Sequence, residues 1–260
     1  VNTQTTQNYL NLLLKNNSMG QNKLFVNEVF PAIQGEGQNL GRPVIFVRLF
    51  GCNMGCVFCD SKHSWDKRYS DGEENQHLEF EKLEEQLTQA GLLKLRHIVF
   101  TGGEPLLQQE QVTEFVNYLQ EKNNTKFIIE WETNGTITPN EATDKITDFY
   151  NISPKFSLAL DGSDKETFNK RIKDEPMNFF NENKKAYFKF VVGSDGDFSE
   201  LKAIMEKFKI KKEKVYLMPL GASRLELEKT NAWLINYCIN TGFKFSPRLQ
   251  VMVFDKKRKV

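Results

Sequence analysis

Three of the four cysteines in this sequence, Cys52, Cys56 and Cys59, fall within eight consecutive positions, in Gly51-Cys52-Asn53-Met54-Gly55-Cys56-Val57-Phe58-Cys59-Asp60-Ser61. A disulfide framework spreads an even number of cysteines over a small secreted chain. Three clustered thiols read as ligands instead, because soft thiolates on one short loop can converge on a metal. Two metal readings fit the spacing. One is a structural Cys3His zinc site, with His63, four residues after Cys59, as the last donor. The other is a cluster of four irons held by three thiolates, with one iron left open to an outside chelator. Cys238 lies in the apolar stretch at residues 233–238 and reads as a small buried hydrophobe.

Other polar segments recur at regular places. Thr101-Gly102-Gly103-Glu104-Pro105, Glu132-Thr133-Asn134-Gly135, Ser153-Pro154-Lys155 and Pro219-Leu220-Gly221 each follow a short apolar run. Those runs, at residues 44–49, 97–100, 126–130, 149–152, 186–192 and 214–218, have the length and β-branched content of strands. Between them lie stretches with helical spacing: Phe80, Leu83 and Leu87; Val112, Phe115 and Leu119; Leu201, Ile204, Met205 and Phe208. Alternation of this kind predicts parallel strands joined by right-handed crossovers, about six β/α units from residue 44 to 240. It suits an α/β fold of the open or incomplete (β/α) barrel type, in one domain over residues 24–260. Ligand groups then collect at the C-terminal rim of the strands, where these segments and the cysteine loop would meet. Residues 1–23 are rich in Asn, Gln and Thr and are expected to form a polar extension.

Composition narrows the function classes. With 260 residues, 39% apolar and 27% charged, the chain falls in the globular range. Lys and Arg number 35 against 34 Asp and Glu, a net charge of +1 that gives no general drive toward nucleic acid or membrane surfaces. No apolar run approaches the roughly 18 residues of a membrane span, and no secretory leader is expected from the N-terminal pattern. A cytoplasmic protein is expected. The basic run Lys256-Lys257-Arg258-Lys259 reads as a solvated terminus, His63 as a surface histidine and His97 as structural. Glu81, Glu84 and Glu85 read as the outer face of a helix.

The C-x3-C-x2-C spacing, with Phe58 just before the last cysteine, resembles the radical S-adenosylmethionine (SAM) superfamily, and Gly102-Gly103-Glu104 resembles its glycine-rich segment. The resemblance implies a 4Fe–4S cluster on Cys52, Cys56 and Cys59, with SAM chelating the open iron. Reductive cleavage of SAM then gives a 5′-deoxyadenosyl radical that removes a hydrogen atom from substrate. It also implies that Gly102, Gly103 and Glu104 receive the SAM amino group and that Phe58 lies near the adenine. Ser153, Pro154 and Lys155 would contact SAM, and Met218, Pro219, Leu220 and Gly221 would close over it.

A segment before the cysteines narrows the resemblance. In Ile33-Gln34-Gly35-Glu36-Gly37, the glycines allow close backbone approach and Glu36 offers an acceptor pair. Arg48 adds a planar fork suited to a carboxylate. Together with Arg48-Leu49-Phe50-Gly51-Cys52-Asn53 and the closing Ser246-Pro247-Arg248-Leu249, this segment resembles the 7-carboxy-7-deazaguanine synthase family of queuosine and deazapurine biosynthesis. That family is a Mg²⁺-dependent carbon–nitrogen lyase acting on 6-carboxy-5,6,7,8-tetrahydropterin. The resemblance implies that Ile33, Gln34, Gly35, Glu36 and Thr101 contact the pterin and Arg48 its carboxylate. Ser61, where many members have Thr, would give its hydroxyl to Mg²⁺. Gln250, where some members have His, is left out of the site. A homodimer and an electron donor such as flavodoxin or ferredoxin are implied, with no nucleic-acid or membrane partner. Two rivals remain at this level, a glycyl-radical-activating enzyme with the same cysteine spacing and a zinc-stabilised binding module.

Overall fold

The structure, a computed structural model, describes residues 22–70, 74–159 and 171–260. Most of the polar extension expected at residues 1–23 lies outside these ranges.

One nine-stranded sheet carries the chain, in the order β3-β1-β2-β4-β5-β6-β7-β8-β9. The strands are β1 (Lys23–Ile33), β2 (Pro43–Leu49), β3 (Gln76–Glu79), β4 (His97–Gly102), β5 (Ile128–Thr133), β6 (Phe149–Ile152), β7 (Ala186–Val192), β8 (Val215–Pro219) and β9 (Lys244–Phe245). From β2 to β9 every pairing is parallel. β1 joins β2 and β3 antiparallel at one edge. The helices are α1 (Phe80–Gln89), α2 (Leu92–Leu95), α3 (Gln109–Asn123), α4 (Glu141–Ile146), α5 (Asp174–Glu182), α6 (Asp197–Phe208), α7 (Arg224–Thr241) and α8 (Leu249–Phe254). This is the open, incomplete (β/α) barrel that the alternating pattern predicts.

Side-chain alternation divides the sheet into two unlike faces. Ile98 and Phe100 of β4, Ile129 and Trp131 of β5, and Phe188, Phe190 and Val192 of β7 pack into the main apolar core. The helices close that core: Phe80, Leu83 and Leu87 of α1 and Val112, Phe115 and Leu119 of α3 are all buried, as their i, i+3, i+7 spacing requires. Each such side chain stabilises by about 1.5–3 kcal/mol relative to exposure. The other face is polar. Glu130 and Glu132 of β5, Asn151 of β6 and Lys189 of β7 share it with Arg48 and Thr101, and that face lines the interior.

Two expectations fail here. Strand β1 begins at Lys23, inside the stretch assigned to the extension, and it was not among the expected strands. It pairs antiparallel with β2 and β3, outside the parallel run, so the six-unit parallel pattern does not reveal it. The basic run is not simply solvated either. Arg258 donates to Glu28 Oε2 at 3.0 Å and to Glu74 Oε1 at 2.8 Å, drawing residues 256–260 against the barrel mouth.

Candidate active site

The loop that follows β2 is pinned on three sides. Gly51 N donates to Ser64 O at 2.8 Å, Val57 N to Ala159 O at 2.9 Å, and Asn53 Nδ2 to Thr136 Oγ1 at 2.7 Å. The glycines after β4 lie directly beneath it. Gly102 has φ +132°, and a Cβ there would come 2.1 Å from Leu49 O; at Gly103 it would come 2.1 Å from Gly51 O. Only glycine lets the two loops touch at these points. Glu104 N completes the contact by donating to Gly51 O at 2.8 Å.

Cys52, Cys56 and Cys59 all face one cavity of about 520 Å³. Burial raises the Cys52 and Cys56 thiols, and neighbouring cysteine charges raise both further. Trp65 Nε1 donates to Cys59 Sγ at 3.3 Å and Met54 N to Cys52 Sγ at 3.4 Å. Among the described residues no three His, Cys, Asp or Glu side chains come together as a single ion would need. His63, expected at the surface, is buried with Nε2 3.6 Å from Glu28 Oε1, so it is engaged away from the cysteines. Thiols that share one cavity wall without converging on one point suit a polynuclear cluster, with each thiolate on its own iron, better than a Cys3His zinc site.

Beside the cysteines the wall is formed by Phe58, Gly102, Gly103, Ser153, Lys155, Met218 and Leu220. Lys155 Nζ donates to Ser153 Oγ at 2.7 Å and to Ser153 O at 2.9 Å. Pro154, Pro219 and Gly221 each sit between two wall residues and do not line the cavity. For Pro219, the last residue of β8, strand alternation turns the side chain away. The Glu104 carboxylate is also off the wall. It accepts from Thr133 Oγ1 and Asn134 N, both at 2.7 Å, and from Leu106 N at 3.0 Å. Burial pushes its pKa up to about 7 against those donors.

Across the cavity stand Gln34, Gly35, Glu36, Arg48 and Thr101. Ile33 does not join them: it is 44% exposed at the end of β1 paired with Pro43, outside the cavity. Gln34 is drawn inward by two carboxylates, its Nε2 donating to Glu132 Oε1 at 3.1 Å and Glu130 Oε1 at 3.2 Å. Glu130 is fully buried. It also accepts from Asn39 Nδ2 at 2.9 Å and from Asn151, and His97 Nε2 lies 2.9 Å from it. Thr101 Oγ1 donates to Glu132 Oε2 at 2.8 Å. Glu36 is gripped by Lys189 at 2.5 Å, Gln250 Nε2 at 2.7 Å and Arg248 Nε at 3.1 Å. Burial opposes its charge, but Lys189 and Arg248 hold its carboxyl well below the ordinary value. Arg248 also pairs with Asp60, next to Cys59, so this network runs from the Gln34–Glu36 wall to the cysteine loop.

Among the described residues, Arg48 donates Nε to Glu28 Oε1 at 2.7 Å and makes no other side-chain hydrogen bond. Burial would raise the Glu28 carboxyl, yet His63, Arg48 and Arg258 hold it well below the ordinary value. Ser61 lines the cavity with Oγ 3.6 Å from Cys59 Sγ.

Glu28, Glu132, Lys189, Arg248 and Gln250 belong to this site but were not singled out as site residues by the sequence. Lys189 had a usable signal: a charge at an alternate position inside the apolar run at residues 186–192 must face a polar interior. Glu132 and Arg248 stand inside segments already noted, and Glu28 lies on β1 five residues before the Ile33–Gly37 segment. Gln250 was set aside because it stands where some family members have His, yet it lines the cavity and donates to Glu36.

Residues 47–221 match the family described as the Radical SAM superfamily. The chain is 34% identical over 235 residues to the 7-carboxy-7-deazaguanine synthase of Pyrobaculum aerophilum, covering 90% of this chain and 96% of that protein. It is 30% identical to the enzyme of that name from Hyperthermus butylicus, covering 88% and 92%. The crystal structure of QueE from Escherichia coli resembles it with a TM-score of 0.63 and 25% identity, over 87% of this chain and 94% of that one.

Proposed function

Since the chain belongs to the radical SAM superfamily and, within it, to the 7-carboxy-7-deazaguanine synthase family, we propose that it is a Mg²⁺-dependent carbon–nitrogen lyase. In this reading it converts 6-carboxy-5,6,7,8-tetrahydropterin to 7-carboxy-7-deazaguanine, through hydrogen abstraction at C6, radical ring contraction and loss of ammonia. The observation that carries the reading is a single cavity with the three thiols on one side and a polar wall of Gln34, Glu36, Arg48, Thr101 and Glu132 on the other.

A 4Fe–4S cluster on Cys52, Cys56 and Cys59, with SAM, would supply the radical chemistry. The chain's own residues hold and shield the reactants. The Gly102–Gly103 backbone, Ser153, Lys155 and Phe58 form the side where SAM fits. Glu36 and Glu132 offer carboxylate acceptors to the amino and ring N–H donors of a pterin, and Gln34 is fixed between them. Arg48 keeps its terminal nitrogens for the substrate carboxylate. Ser61 offers a hydroxyl to Mg²⁺, a hard cation whose remaining ligands would be substrate oxygens and water. A flavodoxin or ferredoxin as reductant, a homodimer, a cytoplasmic setting and the absence of nucleic-acid or membrane partners belong to the same reading. No helix among the described residues is long and apolar enough to cross a membrane.

The test is anaerobic incubation of cluster-loaded protein with the carboxytetrahydropterin, SAM, dithionite and Mg²⁺, followed by mass spectrometry. The expected product is 7-carboxy-7-deazaguanine. A preparation that cleaves SAM but forms none of it rejects the assignment in favour of another radical SAM activity. A glycyl-radical-activating enzyme has no use for the Gln34–Glu36 wall.

A further inference from the structure

The residues around Glu28 are charged in a pattern that the site described so far leaves unexplained. Glu28 is almost fully buried on β1, just past the register shift between Val26 and Glu28, and it faces the cavity beside Arg48. A carboxylate there works against recognition of another carboxylate by Arg48. Glu74 adds a second negative charge. With Arg48 alone, the two acids would outnumber the base and the corner would repel an anion.

The last residues of the sequence reverse that sign. Arg258 Nη2 lies 3.0 Å from Glu28 Oε2 and 2.8 Å from Glu74 Oε1. Lys259 Nζ lies 3.8 Å from Glu28 Oε2 and 3.5 Å from Glu74 Oε1. Three cations, Arg48, Arg258 and Lys259, now face two carboxylates, which leaves one positive charge unmatched. Lys256 and Lys257 line the same cavity against one further acid of the segment, Asp255, so the balance stays positive. Arg258 and Lys259 also keep 38% and 48% of their side chains exposed, so neither is consumed by the pairs it makes.

We propose that Arg258 and Lys259 complete, with Arg48, a subsite for the carboxylate of the substrate, and that this segment selects anionic over neutral pterins. The proposal rests on the reading of the substrate as a carboxylated pterin. Glu28 and Glu74 are then positioning residues that anchor the segment across the cavity mouth and aim its charges inward.

The experiment compares two fluorescent ligands that need no turnover, pterin-6-carboxylate and unsubstituted pterin, on cluster-loaded protein with SAM bound. The parent protein should bind the carboxylate more tightly, and added salt should erode the preference. The double variant Arg258→Ala/Lys259→Ala should lose about tenfold or more in affinity for the carboxylate and little for pterin. Arg258→Lys should restore part of the preference. The exposed positions keep the fold out of question, and a thermal melt of each variant checks it. A parent protein without carboxylate preference, a preference that survives the double substitution, or an equal weakening of both ligands would each overturn the proposal. The last outcome would mark the segment as a strap without selectivity. The product assay judges the substrate reading separately, because a protein can show the carboxylate preference and still form no deazaguanine.

Discussion

Arg48 gives Nε to Glu28 and lines the cavity, which makes it the side chain whose removal is most informative. Arg48→Ala should cut substrate turnover by about 10- to 100-fold, the range for losing hydrogen bonds to a charged partner at ~1.5–3 kcal/mol. Uncoupled SAM cleavage should persist, since Glu28 keeps Arg258 and the cysteine loop is not touched. If cleavage vanishes with turnover, Arg48 supports the loop or the fold. Ser61→Ala should blunt the response of turnover to added Mg²⁺, and an unchanged Mg²⁺ titration would remove Ser61 from the metal. At this scale the sequence was readable where chemistry forces a spacing. The three cysteines and the two glycines beneath them come together at one cavity. Lys189, Gln250 and Glu28 were less legible, because each enters the site through a partner far away in sequence. Lys189 meets Glu36 across 153 positions and Gln250 meets it across 214, separations that no local pattern records.

The element that decides whether the site exists is the pair of loops after β2 and β4. Their contact is backbone on backbone, with Gly103 against Gly51 O and Glu104 N bonded to the same oxygen. Gly103→Ala therefore cannot be relieved by rotating a side chain. The cysteine loop must move, at a cost of about 1–3 kcal/mol for overpacking. The expected outcome is reduced iron and sulfide per chain after reconstitution with a modest drop in thermal stability; full loading would show that the loop tolerates the shift. The same elements explain which strands were foreseeable. The strands of the parallel run at β2, β4 and β5–β8 bury one face against helices and carry dense apolar runs, so their positions could be read directly. β1 has Glu28 on its inner side and Pro31 near its end, and its partners β2 and β3 lie on either side at the sheet edge. Its buried apolar residues Leu24, Val26 and Phe30 stand at strand spacing, but its antiparallel pairing places it outside the repeating β/α pattern.

For the molecule as a whole, a polar interior makes stability a function of pH in two opposed ways. Glu28 and Glu36 are held well below the ordinary value of 4.5 by the cations around them. A carboxyl of that kind stabilises fully above its unfolded pKa, and the contribution is lost as acid protonates it below about 4.5. Glu104 runs the other way, because burial raises it from 4.5 to about 7. Between those two values the unfolded chain has released the proton that the folded chain retains. Stability must then fall as pH rises through that interval. The two limbs meet on the acid side of neutrality, so cluster-free protein should be most stable near pH 5, losing stability gently toward pH 7 and more steeply below pH 4. Thiols raised by burial titrate above both limbs and leave the window undisturbed. Urea midpoints measured from pH 3.5 to 7.5 check the shape. Glu104→Gln should flatten the upper limb alone and Glu28→Gln should soften the lower one alone. A midpoint that climbs steadily from pH 5 to 7 in the parent protein would mean that the three hydrogen bonds to Glu104 outweigh its burial, and that its charge is retained in the folded state.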